Sequence, residues 1–326
     1  MRYDFHHKTF IDTTTAATKP AVSGSDGDLS WNELHEKTTL LKNVLQSLNI
    51  PAGAPVLIYG HKETFYAVAV LACIHAAVTY IPADLIYPAD RIQKIIAISD
   101  AQVLINCTGV SSGVNVACEI ANDLSIKQNR PCAFMVHAVV PPDDLLQYIM
   151  FTSGSTGEPK GVQITRNATL AFMDWAIPAF GFSGSDVFMN QAPFTFDVSL
   201  CDLFQAFALG GTLVLNSTAL IKEQDQFLKR LQQYHCSVWT STPSFVYLFL
   251  RHPGFNASFL PHLHTFLFMG EELPARTCQL LQKLFPEARI LNAYGPTEAT
   301  IVTTLVEITA ELLTQYPALP IGYPMQ

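Results

Sequence analysis

Residues 152–161 read TSGSTGEPKG and follow directly on the apolar run Leu145–Phe151. Glycines allow a backbone to turn sharply and to approach a ligand closely, and successive backbone N–H groups form a concave cradle for anions. Hydroxyl groups donate to phosphate oxygens, and Lys160 adds a point charge. The combination favours a nucleotide triphosphate as ligand. An ordinary surface turn is the alternative, because glycine, serine and threonine also cluster in turns.

The loop differs from the two most familiar phosphate-binding patterns. The Walker A pattern requires Gly-x4-Gly-Lys-Ser/Thr, but Pro159 stands at the second glycine position and Gly161 follows the lysine. The loop also lacks the Gly-x-Gly-x-x-Gly spacing. Its function therefore has to be inferred from its composition and its position after a strand.

Short apolar runs alternate with helical patterns along the sequence. The predicted strands lie at 55–59, 79–82, 102–106, 145–151, 187–191, 211–215, 237–240, 265–268 and 289–291, and the predicted helices at 63–77, 90–99, 168–180, 201–209, 224–234 and 275–285. This alternation predicts an α/β protein with parallel sheets covered on both faces. Such sheets bind ligands at the carboxyl ends of their strands, where the 152–161 loop is expected to lie.

Three segments fall outside this alternation. Residues 12–28 are rich in Thr, Ser, Gly and Asp and are predicted as loop, and residues 109–142 are predicted as a connection. Between them, Ser30 and Glu33 have the spacing of a capping box and predict the start of a helix.

Composition and charge exclude several classes of function. The chain has 326 residues, of which 49% are hydrophobic and 14% charged, so we expect a large core and a sparsely charged surface. A net charge of −8 provides no electrostatic footprint for nucleic acid. The seven cysteines are scattered singly, without metal-ligand spacing, which indicates a reducing compartment. The longest apolar stretch, Tyr66–Val78, is too short to span a bilayer. We expect a soluble cytoplasmic protein without membrane insertion.

A second loop, NAYGPTE at 292–298, also follows a predicted strand. Tyr294 offers a flat face to a purine, and Asn292 can form a hydrogen bond with its edge. Thr297 can donate to a phosphate, and Glu298 is a hard oxygen ligand suited to Mg²⁺. A Gly-Pro turn with a solvated glutamate is the alternative.

A third loop, NQAPFTFDVS at 190–199, places one acid among aromatic and apolar residues. A carboxylate in that setting is costly unless it is paired. Asp197 or Ser199 could cap the helix that begins near Cys201. Alternatively, Asp197 provides the counter-charge for a substrate ammonium. In a fourth loop, FLFMGEELP at 266–274, a predicted buried strand ends at Gly270. The tip of that strand could form a pocket floor or an adenine wall. The two acids before Pro274 could instead simply start a helix.

Together these loops resemble those of the adenylate-forming superfamily of acyl and aminoacyl adenylation enzymes. Residues 152–161 resemble its phosphate loop, and 292–298 resemble its Asn-x-Tyr-Gly-Pro-Thr-Glu motif. The chain is more closely similar to the D-alanine–D-alanyl carrier protein ligases, on the stretches 161–165, 190–194, 238–245 and 294–300.

The resemblance implies a fold of two packed αβαβα subdomains with mostly parallel sheets, at residues 1–142 and 143–326. It also implies that this chain is the N-terminal core, since family members continue into a small C-terminal domain that supplies a lysine. On that basis the core alone is expected to be weakly active or inactive.

The resemblance assigns roles by position. Asp197 would bind the amino group of a small amino acid, most simply D-alanine, and its pocket would be lined by Cys201, Met269, Ala293 and Ile301. The nucleotide would be held by Thr152, Ser153, Gly154, Ser155, Thr156, Gly157, Lys160, Glu271, Asn292, Ala293, Tyr294, Gly295, Pro296 and Thr297. Thr297 would contact the α-phosphate, and Glu298 would bind Mg²⁺.

The implied reaction uses ATP to form an aminoacyl adenylate, which then transfers its acyl group to the phosphopantetheine thiol of a carrier protein. Positioning and charge neutralisation would perform the catalysis. Three alternatives remain. Met269 replaces the cysteine usual in these ligases, which favours another small amino acid, as in nonribosomal peptide synthesis. An acyl-CoA synthetase is disfavoured by Asp197. A non-catalytic ATP-binding protein is the third.

Overall fold

The computed structural model describes residues 1–11, 19–134, 145–153 and 158–325, with only the backbone of Ser153. The chain forms two compact units. The first unit comprises Met1, Tyr3–Leu170 and Pro193–Phe196, and the second comprises Arg2, Ala171–Ala192 and Asp197–Gln326. The domain boundary predicted at residues 142 and 143 lies outside the described residues.

The first 180 residues contain both strands and helices. The elements are β1 (Arg2–Asp4), β2 (Thr9–Ile11), β3 (Pro20–Gly24), β4 (Gly27–Ser30), α1 (Trp31–Ser47), β5 (Pro55–Tyr59), α2 (Thr64–Ala76), β6 (Thr79–Ala83), α3 (Ala89–Ser99), β7 (Val103–Asn106), β8 (Cys118–Ala121), β9 (Ile126–Gln128), β10 (Leu146–Ser153), β11 (Pro159–Thr165) and α4 (Arg166–Phe180). One sheet has the strand order β11-β10-β6-β5-β7-β8-β9. Its inner pairs are parallel, and β11 and β9 join it antiparallel.

Local sequence explains these elements. The Ser30 side chain accepts a hydrogen bond from the Glu33 amide at 3.3 Å, and the Glu33 carboxylate accepts one from the Ser30 amide at 2.8 Å. The predicted capping box is therefore confirmed at the start of α1. β5 and β6 are apolar and buried along almost their whole length, as expected of parallel strands covered on both faces.

The second unit repeats this architecture. Its elements are β12 (Val187–Asn190), α5 (Val198–Leu209), β13 (Thr212–Leu215), α6 (Thr218–Lys222), α7 (Gln224–Gln233), β14 (Val238–Ser241), α8 (Pro243–Tyr247), β15 (Thr265–Phe268), α9 (Ala275–Leu284), β16 (Arg289–Tyr294), a 3-10 turn (Thr297–Ala299), β17 (Thr304–Glu307), α10 (Ala310–Gln315) and β18 (Tyr323–Pro324). Its strands are ordered β18-β17-β16-β15-β14-β12-β13. The run from β16 to β13 is parallel, and β17 and β18 are antiparallel.

The register of the second-unit sheet aligns the ends of its strands. Ser241 pairs with Phe268, and Phe268 pairs with Asn292, so β14, β15 and β16 reach the same edge at nearly the same level. Beneath that edge, Trp239 is fully buried and packs against the rings of Phe227, Phe249 and other aromatic residues. The loops that leave this edge are thus held on a densely packed aromatic core.

The predicted α/β class with mostly parallel sheets is confirmed, but several elements differ from the sequence prediction. The predicted loop at 12–28 is wrong in its later part, where β3 and β4 form a hairpin with a two-residue turn between Gly24 and Gly27. The predicted connection at 109–142 contains β8 and β9. Residues 159–165 form a strand, β11, that was not predicted. Among the described residues, no helix has the length and apolarity needed to cross a membrane.

A buried carboxylate joins strands β12, β14 and β15 at their amino ends. Asp186 accepts hydrogen bonds from the Ser183 amide at 2.7 Å, from the Ser237 hydroxyl at 2.7 Å and from His264 Nε2 at 3.0 Å. Burial by itself raises the pKa of Asp186, but the hydrogen bonds from His264, Ser237 and Ser183 outweigh it and lower the pKa to about 2.

We expect Asp186→Asn to destabilise the protein in a pH-dependent way. A folded-state pKa lowered from 3.8 to about 2 adds roughly 2 kcal/mol to the free energy of unfolding at pH values above the unfolded-state pKa. That contribution is lost as pH falls from about 4 towards 2. Urea unfolding, monitored by tryptophan fluorescence, should give a lower free energy of unfolding for the variant than for the wild type at pH 7. This difference should narrow below pH 4. The exposed Asp225→Asn is the control. A difference in the free energy of unfolding that does not change with pH would contradict this account.

Candidate functional site

The predicted phosphate loop connects β10 to β11. Thr152 pairs with Lys160 and Ser153 with Pro159 in this antiparallel ladder, and β10 also pairs in parallel with β6. The loop therefore leaves the carboxyl end of a parallel strand, as predicted. Thr152 is half-buried and Lys160 is exposed. The predicted ligands Gly154, Ser155, Thr156 and Gly157 lie outside the described residues, as does the side chain of Ser153.

An ion pair lies beside this loop within the first unit. Lys94 of α3 contacts the Glu158 carboxylate with Nζ–O distances of 2.9 and 3.2 Å. Both side chains are more than half exposed, so the pair contributes little to stability. It pairs the single acidic side chain of the 152–161 loop with a cation.

Five of the seven nucleotide ligands predicted in the second unit line one cavity at the carboxyl ends of β15 and β16. The cavity measures about 330 Å³ and is lined by Gly270, Glu271, Glu272, Leu273, Asn292, Ala293, Tyr294, Gly295, Leu319 and Ile321. Its size is at the lower end of that of small-molecule sites. A larger cavity of about 570 Å³, between β16, β17 and α10, contains none of the predicted site residues.

Hydrogen bonds hold the wall of the smaller cavity. The Glu271 carboxylate accepts from the Ser244 amide at 3.0 Å and from the Ser244 hydroxyl at 2.7 Å, at the start of α8. Asn292 Nδ2 donates to the Pro320 carbonyl at 2.8 Å, which uses one N–H group of the predicted adenine ligand. Ser244 and Pro320 were not predicted, because each is far in sequence from the residue it contacts.

The turn after β16 is tightly constrained. A Cβ added to Gly295 would lie 2.5 Å from Val302 Cα and 3.0 Å from the Ile301 carbonyl oxygen, so only glycine fits this approach of backbone to backbone. Thr300 and Ile301 both have positive φ, at 65° and 68°. This conformation is unfavourable for β-branched residues and persists only where the surroundings impose it. The turn thereby presents Thr297, half-buried, and Glu298, exposed.

Asp197 lies at the amino end of α5 and is only 8% exposed. It occupies the N-cap position of α5, but its side chain makes no capping hydrogen bond. Its Oδ2 is buried without a hydrogen-bond partner among the described residues. Burial raises the pKa of Asp197. The Thr297 hydroxyl and nearby backbone amides oppose that rise, and the charge of Glu298 adds to it.

A buried asparagine holds the segment that leads to Asp197. Asn190 Nδ2 donates to the Ser199 carbonyl at 3.0 Å and to Asp202 Oδ2 at 3.1 Å, and Asn190 and Asp202 are almost fully buried. Asp202 was not predicted. An acid five residues after Asp197 on a helix could have been recognised as a second buried polar group, but its partner could not.

The remaining predicted substrate residues are buried, but the structure does not join them into one described pocket. Cys201, Met269, Ala293 and Ile301 are each 3% exposed or less. Cys201 follows Asp197 by one turn of α5, and Met269 follows the last residue of β15. Of these four, only Ala293 lines the 330 Å³ cavity.

Comparison with known proteins then identifies the class of the chain. Residues 12–326 match the sequence model described as AMP-binding enzyme. The chain belongs to the AMP-binding enzyme family. This confirms, at the level of the family, the resemblance drawn from the loops at 152–161 and 292–298.

One protein of similar sequence and two solved structures of similar fold can be compared with this AMP-binding chain. It is 38% identical to a D-alanine–D-alanyl carrier protein ligase of Bacillus cereus, over 91% of this chain and 60% of the relative. Its fold matches the AMPPNP-bound nonribosomal peptide synthetase FmoA3 with a TM-score of 0.84 and 20% identity, over 99% of this chain and 34% of that one. It also matches the N-terminal subdomain of Klebsiella oxytoca NpsA, in complex with 3-hydroxybenzoyl-AMSN, with a TM-score of 0.77 and 19% identity, over 100% and 81%. The chain thus spans about three fifths of the length of the Bacillus ligase.

Proposed function

We propose that this chain carries the ATP and amino-acid sites of an enzyme that adenylates a small amino acid, D-alanine being the first candidate. The observation that carries the proposal is the buried Asp197 carboxylate, whose Oδ2 has no partner among the described residues. Such an atom is costly to bury unless a ligand satisfies it. The ammonium group of an amino acid supplies both the positive charge and the N–H donors.

The same observation weighs against a fatty-acyl substrate. An alkyl chain beside Asp197 would leave the carboxylate without a donor, which is unfavourable in an apolar surrounding. The similarity to the Bacillus cereus D-alanine–D-alanyl carrier protein ligase supports the choice of amino acid.

The cavity beside Asn292 and Tyr294 suits the base of ATP. Tyr294 is half exposed and can present its ring to a purine, and the Asn292 amide is buried at the end of β16. Lys160 and Thr152, with the rest of the 152–161 loop, are proposed to bind the triphosphate. The AMPPNP complex of the structural relative FmoA3 supports ATP as the nucleotide.

The proposed reaction needs no nucleophile from the protein. A carboxylate oxygen of the amino acid attacks the α-phosphorus of ATP, the bond from that phosphorus to the bridging oxygen breaks, and pyrophosphate leaves. Asp197 holds the amine end of the substrate, and Thr297 donates to the α-phosphate. Catalysis then comes from orientation and from charge compensation.

A magnesium ion fits Glu298 only together with the nucleotide. Glu298 is exposed on its turn, and the described residues contain no group of three or more His, Cys, Asp or Glu side chains that could hold a metal alone. Mg²⁺ is usually held by one or two carboxylates plus substrate phosphates. When bound there, it would supply positive charge to the phosphate oxygens.

The carrier protein and the cytoplasmic location are parts of the proposal that depend on the Bacillus relative and on the composition of the chain. Transfer to a carrier-protein phosphopantetheine thiol would complete the proposed activity of the whole protein. A different small amino acid is the second candidate, because Met269 is fully buried after β15 and is longer than the cysteine usual in the ligases.

Sulfamoyl adenosine analogues carrying D-alanyl, L-alanyl, glycyl, D-seryl and hexanoyl groups test the proposal. Calorimetry should show that the D-alanyl analogue binds at least about 100-fold more tightly than AMP, as expected of reaction-intermediate analogues. The hexanoyl analogue should bind no better than AMP. Preference for another aminoacyl analogue would select the second candidate. Equal binding of hexanoyl and aminoacyl analogues would contradict both.

A further inference from the structure

The wall of the 330 Å³ cavity that follows β15 is weakly held by its own backbone. Gly270 turns the chain away from the strand with a φ of 87°, and residues 270–273 then form one side of the cavity. Among the described residues, none of these four forms a backbone hydrogen bond. The buried Leu273 packs into the aromatic core and anchors the far end of the segment. Between its two ends, the position of this wall therefore depends on side-chain contacts.

The Glu271 carboxylate provides such a contact. One of its oxygens accepts a hydrogen bond from the Ser244 amide at 3.0 Å, and the other accepts one from the Ser244 hydroxyl at 2.7 Å. Each carboxylate oxygen thus has a donor, and both donors belong to the same residue of α8. Hydrogen bonds to an ionised carboxylate are stronger than those between neutral groups. The pair therefore joins the cavity wall to the loop that follows β14.

Ser244 lies on a firmly held loop. Trp239 Nε1 donates to the Ser241 hydroxyl at 2.8 Å, and that hydroxyl donates to the Thr242 carbonyl at 2.8 Å. The side chains of Trp239 and Ser241 are fully buried, so water does not compete for these bonds. Ser244 is accordingly the fixed end of the contact, and the segment 270–273 is the end that would move without it.

The chemistry of Glu271 disfavours direct contact with a nucleotide. The phosphates of ATP are anions, and the ring nitrogens N1, N3 and N7 of adenine are hydrogen-bond acceptors, as is a carboxylate. The N6 amino group is the only donor on the base, and both oxygens of Glu271 already accept from Ser244.

Building on the proposed function, we propose that Glu271 is a positioning residue: by binding Ser244 it fixes the wall at 270–273 of the cavity that takes the adenine. It acts on the nucleotide through that wall and not as a ligand. Its contribution to nucleotide binding therefore requires Ser244, and that of the Ser244 hydroxyl requires Glu271.

A double-mutant cycle on AMPPNP affinity, measured by calorimetry, tests this mutual dependence. Ser244→Ala removes one of the two hydrogen bonds and should weaken AMPPNP binding about 3- to 10-fold in the otherwise wild-type chain. In the Glu271→Ala background the same substitution should change the affinity by a factor of about one. Comparing Ser244→Ala with and without Glu271 cancels the separate effect of removing the Glu271 charge.

Two further variants and a second probe separate positioning of the base from a general loss of structure. Ser244→Thr keeps the hydroxyl and should keep the wild-type affinity. Ser258→Ala removes the hydroxyl of another exposed serine and should leave the affinity unchanged. Inorganic tripolyphosphate has no base, so its affinity should be the same for Ser244→Ala and for the wild type.

The outcomes distinguish this inference from the proposed function. If the wild type binds AMPPNP but Ser244→Ala binds it as tightly as Ser258→Ala does, the positioning role is overturned and the proposed function stands. The same conclusion follows if Ser244→Ala has an equal effect with and without Glu271, or if it weakens tripolyphosphate binding as much as AMPPNP binding. If the wild type binds neither AMPPNP nor any aminoacyl analogue, both are overturned.

Discussion

Asp197→Asn is expected to weaken amino-acid binding by at least about 30-fold, because truncating the charge of a buried ion pair costs roughly 2–5 kcal/mol. Asparagine preserves the size of the side chain but cannot balance an ammonium group. Calorimetry with D-alanine in the presence of saturating AMPPNP measures the effect directly. AMPPNP binding in the absence of amino acid should not weaken, because the proposed role of Asp197 is confined to the amine.

The control for this variant is Asp225→Asn, which removes an exposed acid of α7. Its amino-acid affinity should equal that of the wild type. The wild-type affinity should also decrease as pH falls through the pKa of Asp197, which burial places above the ordinary value of 3.8. Unchanged affinity in Asp197→Asn would remove the main argument for an amino-acid substrate and would favour the acyl-CoA synthetase alternative.

Gly295→Ala is expected to produce the second large effect. The added Cβ would lie 2.5 Å from Val302 Cα and 2.9 Å from the Thr303 amide nitrogen. Because both atoms belong to the backbone, a side-chain rotation cannot relieve the overlap, and the turn must move. Overpacking of this kind costs about 1–3 kcal/mol or more. Since Gly295 lines the 330 Å³ cavity, we expect AMPPNP affinity to fall at least about 10-fold and the melting temperature to fall by several degrees.

Gly109→Ala provides the matched control, because a Cβ at Gly109 meets no atom within 4 Å. Its AMPPNP affinity and melting temperature should remain those of the wild type. If Gly295→Ala binds AMPPNP as tightly as Gly109→Ala does, the turn after β16 does not form part of the nucleotide site.

The sequence predicts the parallel strands of this protein well. β5 and β15 were predicted with their observed bounds, because a strand buried on both faces is a continuous apolar run between polar or glycine-containing turns. β11 and the β3–β4 hairpin were missed. Their residues are largely polar or small, so their composition favours loops even though backbone pairing makes them strands.

The sequence suggested the candidate residues, whose roles stay predictions, but it did not suggest their contacts with one another. Asp197, Asn292 and Thr297 were chosen from local chemistry and resemblance. Asn292 lies in β16, Asp197 lies at the start of α5, and Thr297 lies in the 3-10 turn after β16. The bonds from Ser244 to Glu271 span 27 positions. The register of the parallel strands brings such pairs together, and no local sequence pattern indicates that register.

The most direct test of the account is a crystal structure of the chain with the D-alanyl sulfamoyl adenosine analogue. The account predicts that the amino group of the analogue lies within about 3 Å of Asp197 Oδ2, at hydrogen-bond distance, and that the adenine lies in the cavity beside Asn292 and Tyr294. An analogue bound with its amino group away from Asp197, or with its base outside that cavity, would contradict it.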